Sequence, residues 1–160
     1  MIRFGITGSL ASGKTTAGKI LAQKRGLLFS ADKVVKNLYS QISFKKLVSK
    51  KLKFKLDSNF KSKVKEKIFK NKKNLKIVEK IVHPKVRKEM HNFIKKNKYK
   101  KFLFFEIPLL IEGKLMKNFD YIIFIKSKKK LRLKRYLQKG GNPKLFFFLN
   151  SQQIKDNKKM

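Results

Sequence analysis

Gly8-Ser9-Leu10-Ala11-Ser12-Gly13-Lys14-Thr15 matches the spacing G-x-x-x-x-G-K-[ST] without a gap. Each fixed position of that pattern has a chemical purpose. The glycines let the backbone turn tightly and aim successive N–H groups at phosphate oxygens. Lys14 reaches the β and γ phosphates, and the Thr15 hydroxyl suits a Mg²⁺ ion. A helix beginning at about Lys14 adds its positive end to the same anion site. The residue types therefore point to nucleotide binding and phosphoryl chemistry.

The chain has 160 residues and only 9 carboxylates, so the acids are informative. Asp32 follows the short apolar segment Leu27-Leu28-Phe29, at the strand end where open α/β sheets place their ligands. A carboxylate there can orient an attacking hydroxyl and accept its proton. The same residue also suits a helix N-cap, and the two roles are compatible. Glu106 ends the apolar run 102–105, the pattern of a strand delivering an acid to a Mg²⁺ shell. A buried carboxylate paired with a lysine fits that position equally well. Glu112 lies beyond Pro108-Leu109-Leu110-Ile111, and spacing alone assigns it no role. His83 and His91 lack metal-ligand spacing. With no cysteine, disulfides, thiolate metal sites and cysteine catalysis are excluded.

Positioning these residues requires strands that end at one rim. Ile2–Thr7, Leu27–Phe29, residues 102–107 and Tyr121–Ile125 read as short apolar strands separated by helical stretches. That alternation predicts an α/β fold with a parallel sheet of about four strands. Ala17, Ile20 and Leu21 share one face of a helix from Lys14, and Gly26 suits its C-cap. Residues 33–98 read as helices alone, with stripes at Val64/Ile68, Leu75/Val78/Val82 and Val86/Met90/Phe93/Ile94. Pro84 suits the first turn of the last of these. A basic helix from about Lys128 to Gln138 is followed by Gly140-Gly141 and a final helix opened by Pro143. Phe146 to Phe148 read as packing on that helix.

The net charge of +35 invites a nucleic-acid reading. It collects in residues 33–101, which carry +21, and in 127–160, which carry +10. Of the basic residues 39 are Lys and only 5 Arg, a poor ratio for reading base edges with bidentate forks. Most of the charge reads as lysine on solvated faces. No apolar run approaches a membrane span and no cleavable signal is evident, so a cytoplasmic, non-membrane protein is expected, as a monomer or weak oligomer without a specific nucleic-acid partner.

The loop, Ser30-Ala31-Asp32, Ile68-Phe69, His83-Pro84, Pro108-Leu109-Leu110-Ile111-Glu112 and Leu133-Lys134-Arg135 occur in an order and spacing that resemble the dephospho-coenzyme A kinases. The resemblance runs over essentially the whole chain. It implies a P-loop, three-layer kinase fold in a single domain, with a helical CoA-substrate region over 33–98 and a lid over about 128–145. The implied reaction moves the ATP γ-phosphate to the ribose 3′-hydroxyl of dephospho-CoA. By position, Gly8 and Ala11, Ser12, Gly13, Lys14, Thr15 and Thr16 would hold ATP, with Thr15 and Glu106 toward Mg²⁺. Asp32 would activate the 3′-hydroxyl, and Lys14 and Arg135 would complete the catalytic group. Asp32, His83, Pro108, Leu109 and Glu112 would meet the CoA substrate, and Arg135 and Lys139 would belong to the lid.

The chain departs from the family pattern at several places. Ser30 stands for the first Asp of D-A-D, Ser9 and Ala11 for glycines, and Lys139 for a second lid arginine. Family members also continue beyond the position of Met160 with a further strand, an Asn-containing segment and a helix. A truncated product, or a version with four strands and Tyr121–Ile125 at an edge, is therefore expected. Another nucleoside or nucleotide kinase, an inactive fragment and a basic nucleic-acid-binding protein are the competing readings.

Overall fold

A computed structural model describes residues 1–153. The strands are β1 (Ile2–Gly8), β2 (Leu27–Ser30), β3 (Phe102–Glu106) and β4 (Tyr121–Ile125). The helices are α1 (Lys14–Ala22), α2 (Ala31–Leu38), α3 (Ile42–Lys51), α4 (Phe60–Lys70), α5 (Lys72–Lys96), α6 (Lys129–Gln138) and α7 (Pro143–Ser151). All four strands run parallel in the order β2-β3-β1-β4. The chain divides into two compact units, residues 33–95 and the remainder.

In the sheet unit, β3 is buried from Leu103 to Glu106, as a near-continuous apolar run requires when both faces are covered. Aromatic pairs tie neighbouring strands. Phe4 lies opposite both Phe104 and Tyr121 and stacks on them with ring centroids 5.0 and 5.4 Å apart. β2 and β4 are the edges of this sheet among the described residues. The register places Ile6 and Ser30 beside Glu106, and Gly8 beside Ile125. The C-terminal ends of β1, β2 and β3 thus meet at one rim, and each delivers the loop, helix or side chain that follows it.

Two local readings of the sequence are corrected here. Ile20 is exposed rather than packed; the buried face of α1 is Lys14, Gly18 and Ala22. Gly18 lets the helix lie close to the sheet, since a Cβ there would stand 3.2 Å from Leu28. Gly26 is not the cap of α1, because Lys24 takes the left-handed turn at φ 61°. Gly26 instead passes so close to β3 that a Cβ would run into the Phe102 carbonyl. That obstacle is backbone and cannot rotate away, so Gly26→Ala should destabilise by about 2–3 kcal/mol. A thermal melt of the variant checks it.

The helical unit has its own core of Leu38, Phe44, Val48, Leu52, Phe60, Val64, Val78 and Val82. Tyr39 packs its ring on Phe44 and Phe60. Pro84 does not open a helix: α5 runs unbroken through it for 25 residues. Proline removes one hydrogen bond, to the Lys80 carbonyl, and adds a ring clash, together about 3 kcal/mol. Burial of Val78 and Val82 before it and Met90 after it outweighs that loss. No helix among the described residues is long and apolar enough to cross a membrane.

Candidate active site

A cleft of about 720 Å³ opens at the rim of the sheet, lined by residues 10–17, Ile20, Asp32, Glu106, Pro108, Arg135, Tyr136, Lys139 and Gln153. Its floor is the loop after β1. Gly8 and Gly13 adopt φ 152° and 103°, and Ala11 stands in the left-handed region at φ 59°. For a residue with a Cβ that conformation costs about 1–2 kcal/mol, so the loop holds a strained link at its tip. Lys14 is only 7 % exposed, and its Nζ donates to the carbonyls of Gly8 at 3.0 Å and Ser9 at 2.9 Å. The ammonium is thereby folded back across the loop at the head of α1.

Two acids share the cleft with the loop. Glu106 is 1 % exposed and accepts from two hydroxyls, Thr15 Oγ1 on Oε1 and Ser30 Oγ on Oε2, the latter at 2.9 Å. A serine at position 30, in place of a further acid, gives the buried carboxylate a donor. Ser30→Ala would leave Oε2 without that partner and should cost about 1–3 kcal/mol, seen as a lowered melting temperature that Ser30→Thr restores.

Asp32 lies in the first turn of α2, where its charge also complements the helix dipole. It remains open to solvent through the cleft, yet its carboxyl is pushed above the usual aspartate value. The main cause is loss of surrounding water, followed by the Glu106 carboxylate, with Lys14 opposing both. From the far side α6 supplies Arg135, whose Nη1 donates to the Ser12 carbonyl at 3.2 Å and Ser127 Oγ at 3.3 Å.

The donor set fits the groups that the loop pattern implies. Ser12 Oγ is buried with no hydrogen-bond partner among the described residues, a donor available to a phosphate oxygen in the cradle. The Thr15 hydroxyl and the Glu106 carboxylate are hard oxygen ligands of the kind Mg²⁺ takes. Among the described residues no group of three or more His, Cys, Asp or Glu could hold a metal. An ion sharing its shell with phosphates and water suits such a site, since Mg²⁺ usually keeps several waters.

The structure brings Ala11 to Thr16, Asp32, Glu106, Pro108, Arg135 and Lys139 to this one cleft. It leaves Leu109 and Glu112 off its lining, in the turns between β3 and β4. His83 lies in α5, within the helical unit. No local pattern marks Ser30 as a donor, Tyr136, Ile20 and Gln153 as lining, or Arg132, which is 5 % exposed. One signal exists for Arg132: in a chain so rich in lysine, an arginine marks a place where a planar fork can be used.

A parallel α/β sheet with a complete phosphate loop at the head of α1, and acids at neighbouring strand ends, defines a P-loop nucleotide-binding protein with the apparatus for phosphoryl transfer. The sequence profile of the dephospho-CoA kinase family matches residues 2–159. A dephospho-CoA kinase of Rickettsia felis is 36% identical over 135 residues, covering 84% of this chain and 70% of the relative. A solved dephospho-CoA kinase from Campylobacter jejuni aligns over 98% of this chain and 82% of its own, with 26% identity and a TM-score of 0.58. The crystal structure of TT1252 from Thermus thermophilus shares the fold at a TM-score of 0.81, with 20% identity, over 99% of this chain and 83% of its own. The chain belongs to the dephospho-CoA kinase family.

Proposed function

We propose that this protein uses ATP to phosphorylate dephospho-CoA, completing coenzyme A. The observation that carries the reading is the presence, in one cleft, of the phosphate loop and Asp32. Lys14, Ser12 and the loop N–H groups grip the ATP phosphates. Thr15 and Glu106 would hold a Mg²⁺ ion, which would supply neutralisation of phosphate charge when bound.

Asp32 orients the ribose 3′-hydroxyl and takes its proton as the oxygen attacks the γ-phosphorus. The bond from that phosphorus to the β–γ bridging oxygen breaks, and ADP leaves with its electron pair. Arg135 and Lys139, on and just after α6, balance the charge carried by the transferring group. Residues 33–98 serve the CoA moiety, with His83, Pro108, Leu109 and Glu112 on the substrate side, and residues from about 128 to 145 act as a lid.

Incubation with Mg·ATP and dephospho-CoA is expected to give CoA and ADP in equal amounts. A panel of nucleosides and nucleotides run alongside tests the choice of acceptor. Phosphorylation of those acceptors at rates equal to dephospho-CoA would make the protein a general nucleotide kinase.

A further inference from the structure

The strained link at Ala11 is flanked by two residues whose backbone groups are held from outside the loop. Before it, the Leu10 N–H donates to Gln153 Oε1 at 3.0 Å, and the Leu10 carbonyl accepts from Arg132 Nη1 at 3.3 Å. After it, the Ser12 carbonyl accepts from Arg135. Arg132 and Arg135 sit three residues apart on α6, so one helical face reaches both sides of the strained residue.

Arg132 does not line the cleft and has no part in the chemistry described above. Its guanidinium is nonetheless fixed from several directions. Nε donates to the Ser127 carbonyl at 3.1 Å, Nη1 donates to Asn150 Oδ1 on α7 at 2.7 Å, and the group lies 5.9 Å from the Phe146 ring centroid. No carboxylate pairs with it among the described residues. A buried cation held only by neutral acceptors is unfavourable unless those acceptors need it.

We propose that Arg132, seated by Asn150 and assisted by Gln153, is a positioning residue that grips Leu10 and holds Ala11 in its left-handed conformation, so that the loop is preset for phosphate. The proposal rests on the reading of this loop as the ATP site. Glycine enters the left-handed region without a steric penalty, whereas alanine does not. The grip therefore matters because residue 11 is alanine, and its importance should fall when residue 11 becomes glycine.

The test is a double-mutant cycle between positions 132 and 11, read as the dissociation constant of Mg·ADP by calorimetry, with melting temperatures recorded for every variant. Arg132→Gln is expected to weaken Mg·ADP binding about tenfold. Ala11→Gly alone sets the reference affinity of the second background. In the Ala11→Gly background the Arg132→Gln loss should shrink to about twofold, because glycine reaches the required conformation unaided.

An equal loss in both backgrounds would overturn the proposal, leaving Arg132 as packing alone, and so would parent-like binding by Arg132→Gln. If Arg132→Gln does not fold, Gln153→Ala, which is only partly buried, must show the same dependence on residue 11. Binding of ADP involves no acceptor, so a protein that passes this test yet forms no CoA refutes the kinase reading and not the grip. A parent that fails to bind Mg·ADP refutes both.

Discussion

Asp32→Asn is expected to lower kcat by about 10²- to 10⁴-fold, the range for loss of a positioned general base, with KM for ATP nearly unchanged. The amide keeps the size of the side chain and its hydrogen-bonding reach, so the substrate hydroxyl can still be oriented. It cannot take the proton. A variant retaining most of its kcat would remove Asp32 from the chemistry.

The raised pKa of Asp32 gives this prediction a pH signature. Activity requires the ionised carboxylate, so kcat/KM should fall on the acid side at a pH above that of an ordinary aspartate. Desolvation contributes most to the shift and the Glu106 charge next, so Glu106→Gln should move that limb back toward lower pH. Stability follows the opposite sense. A carboxyl whose folded pKa exceeds its unfolded value makes the native state bind more protons, and its contribution becomes unfavourable as pH rises through the folded pKa. Asp32→Asn removes that contribution, so the crippled enzyme should melt at the same temperature as the parent or higher near neutral pH.

Lys14→Ala should raise KM for ATP and reduce kcat/KM by about 10²- to 10³-fold, the scale of losing one preorganised charge contact to a transferring group. Two effects combine. The positive charge that meets the phosphates disappears, and the carbonyls of Gly8 and Ser9 lose the donor that spans them. Lys14→Arg should fail to restore activity. At 7 % exposure the pocket around Nζ has no room for a planar five-donor head. Steady-state kinetics of the two variants against ATP settles the point, and near-parental turnover by Lys14→Arg would contradict the geometry.

Those two residues, and the sheet beneath them, were legible in the sequence because their signals are local. The loop is contiguous, and 102–105 and 121–125 are unbroken apolar runs of the kind that strands of a covered sheet use. Local pattern misleads where distant packing competes with it. Ile20 has the spacing of a core residue, but the sheet meets the Gly18 face of α1, which leaves Ile20 on the cleft side. Pro84 carries a helix-start signal that packing on either side overrides. The Ser30–Glu106 bond joins residues 76 positions apart, and the Arg132–Leu10 bond joins residues 122 apart. No window of sequence contains both partners of either pair. Composition helped only indirectly: three of the five arginines, Arg3, Arg132 and Arg135, make specific hydrogen bonds in the sheet unit, while lysine covers the surface.

The strand order carries a consequence for how the molecule is made. β1 pairs with β3 and β4, β2 pairs with β3, and β1 and β2 never touch as partners. During synthesis from the N-terminus, therefore, no rung of the sheet can close until residues 102–106 have left the ribosome. The buried cluster of the helical unit, by contrast, has its last member at Val82. The nascent chain must carry its phosphate loop unassembled for some hundred residues of translation, and β3, inserted between β1 and β2, is the step that turns two separate ribbons into a binding rim.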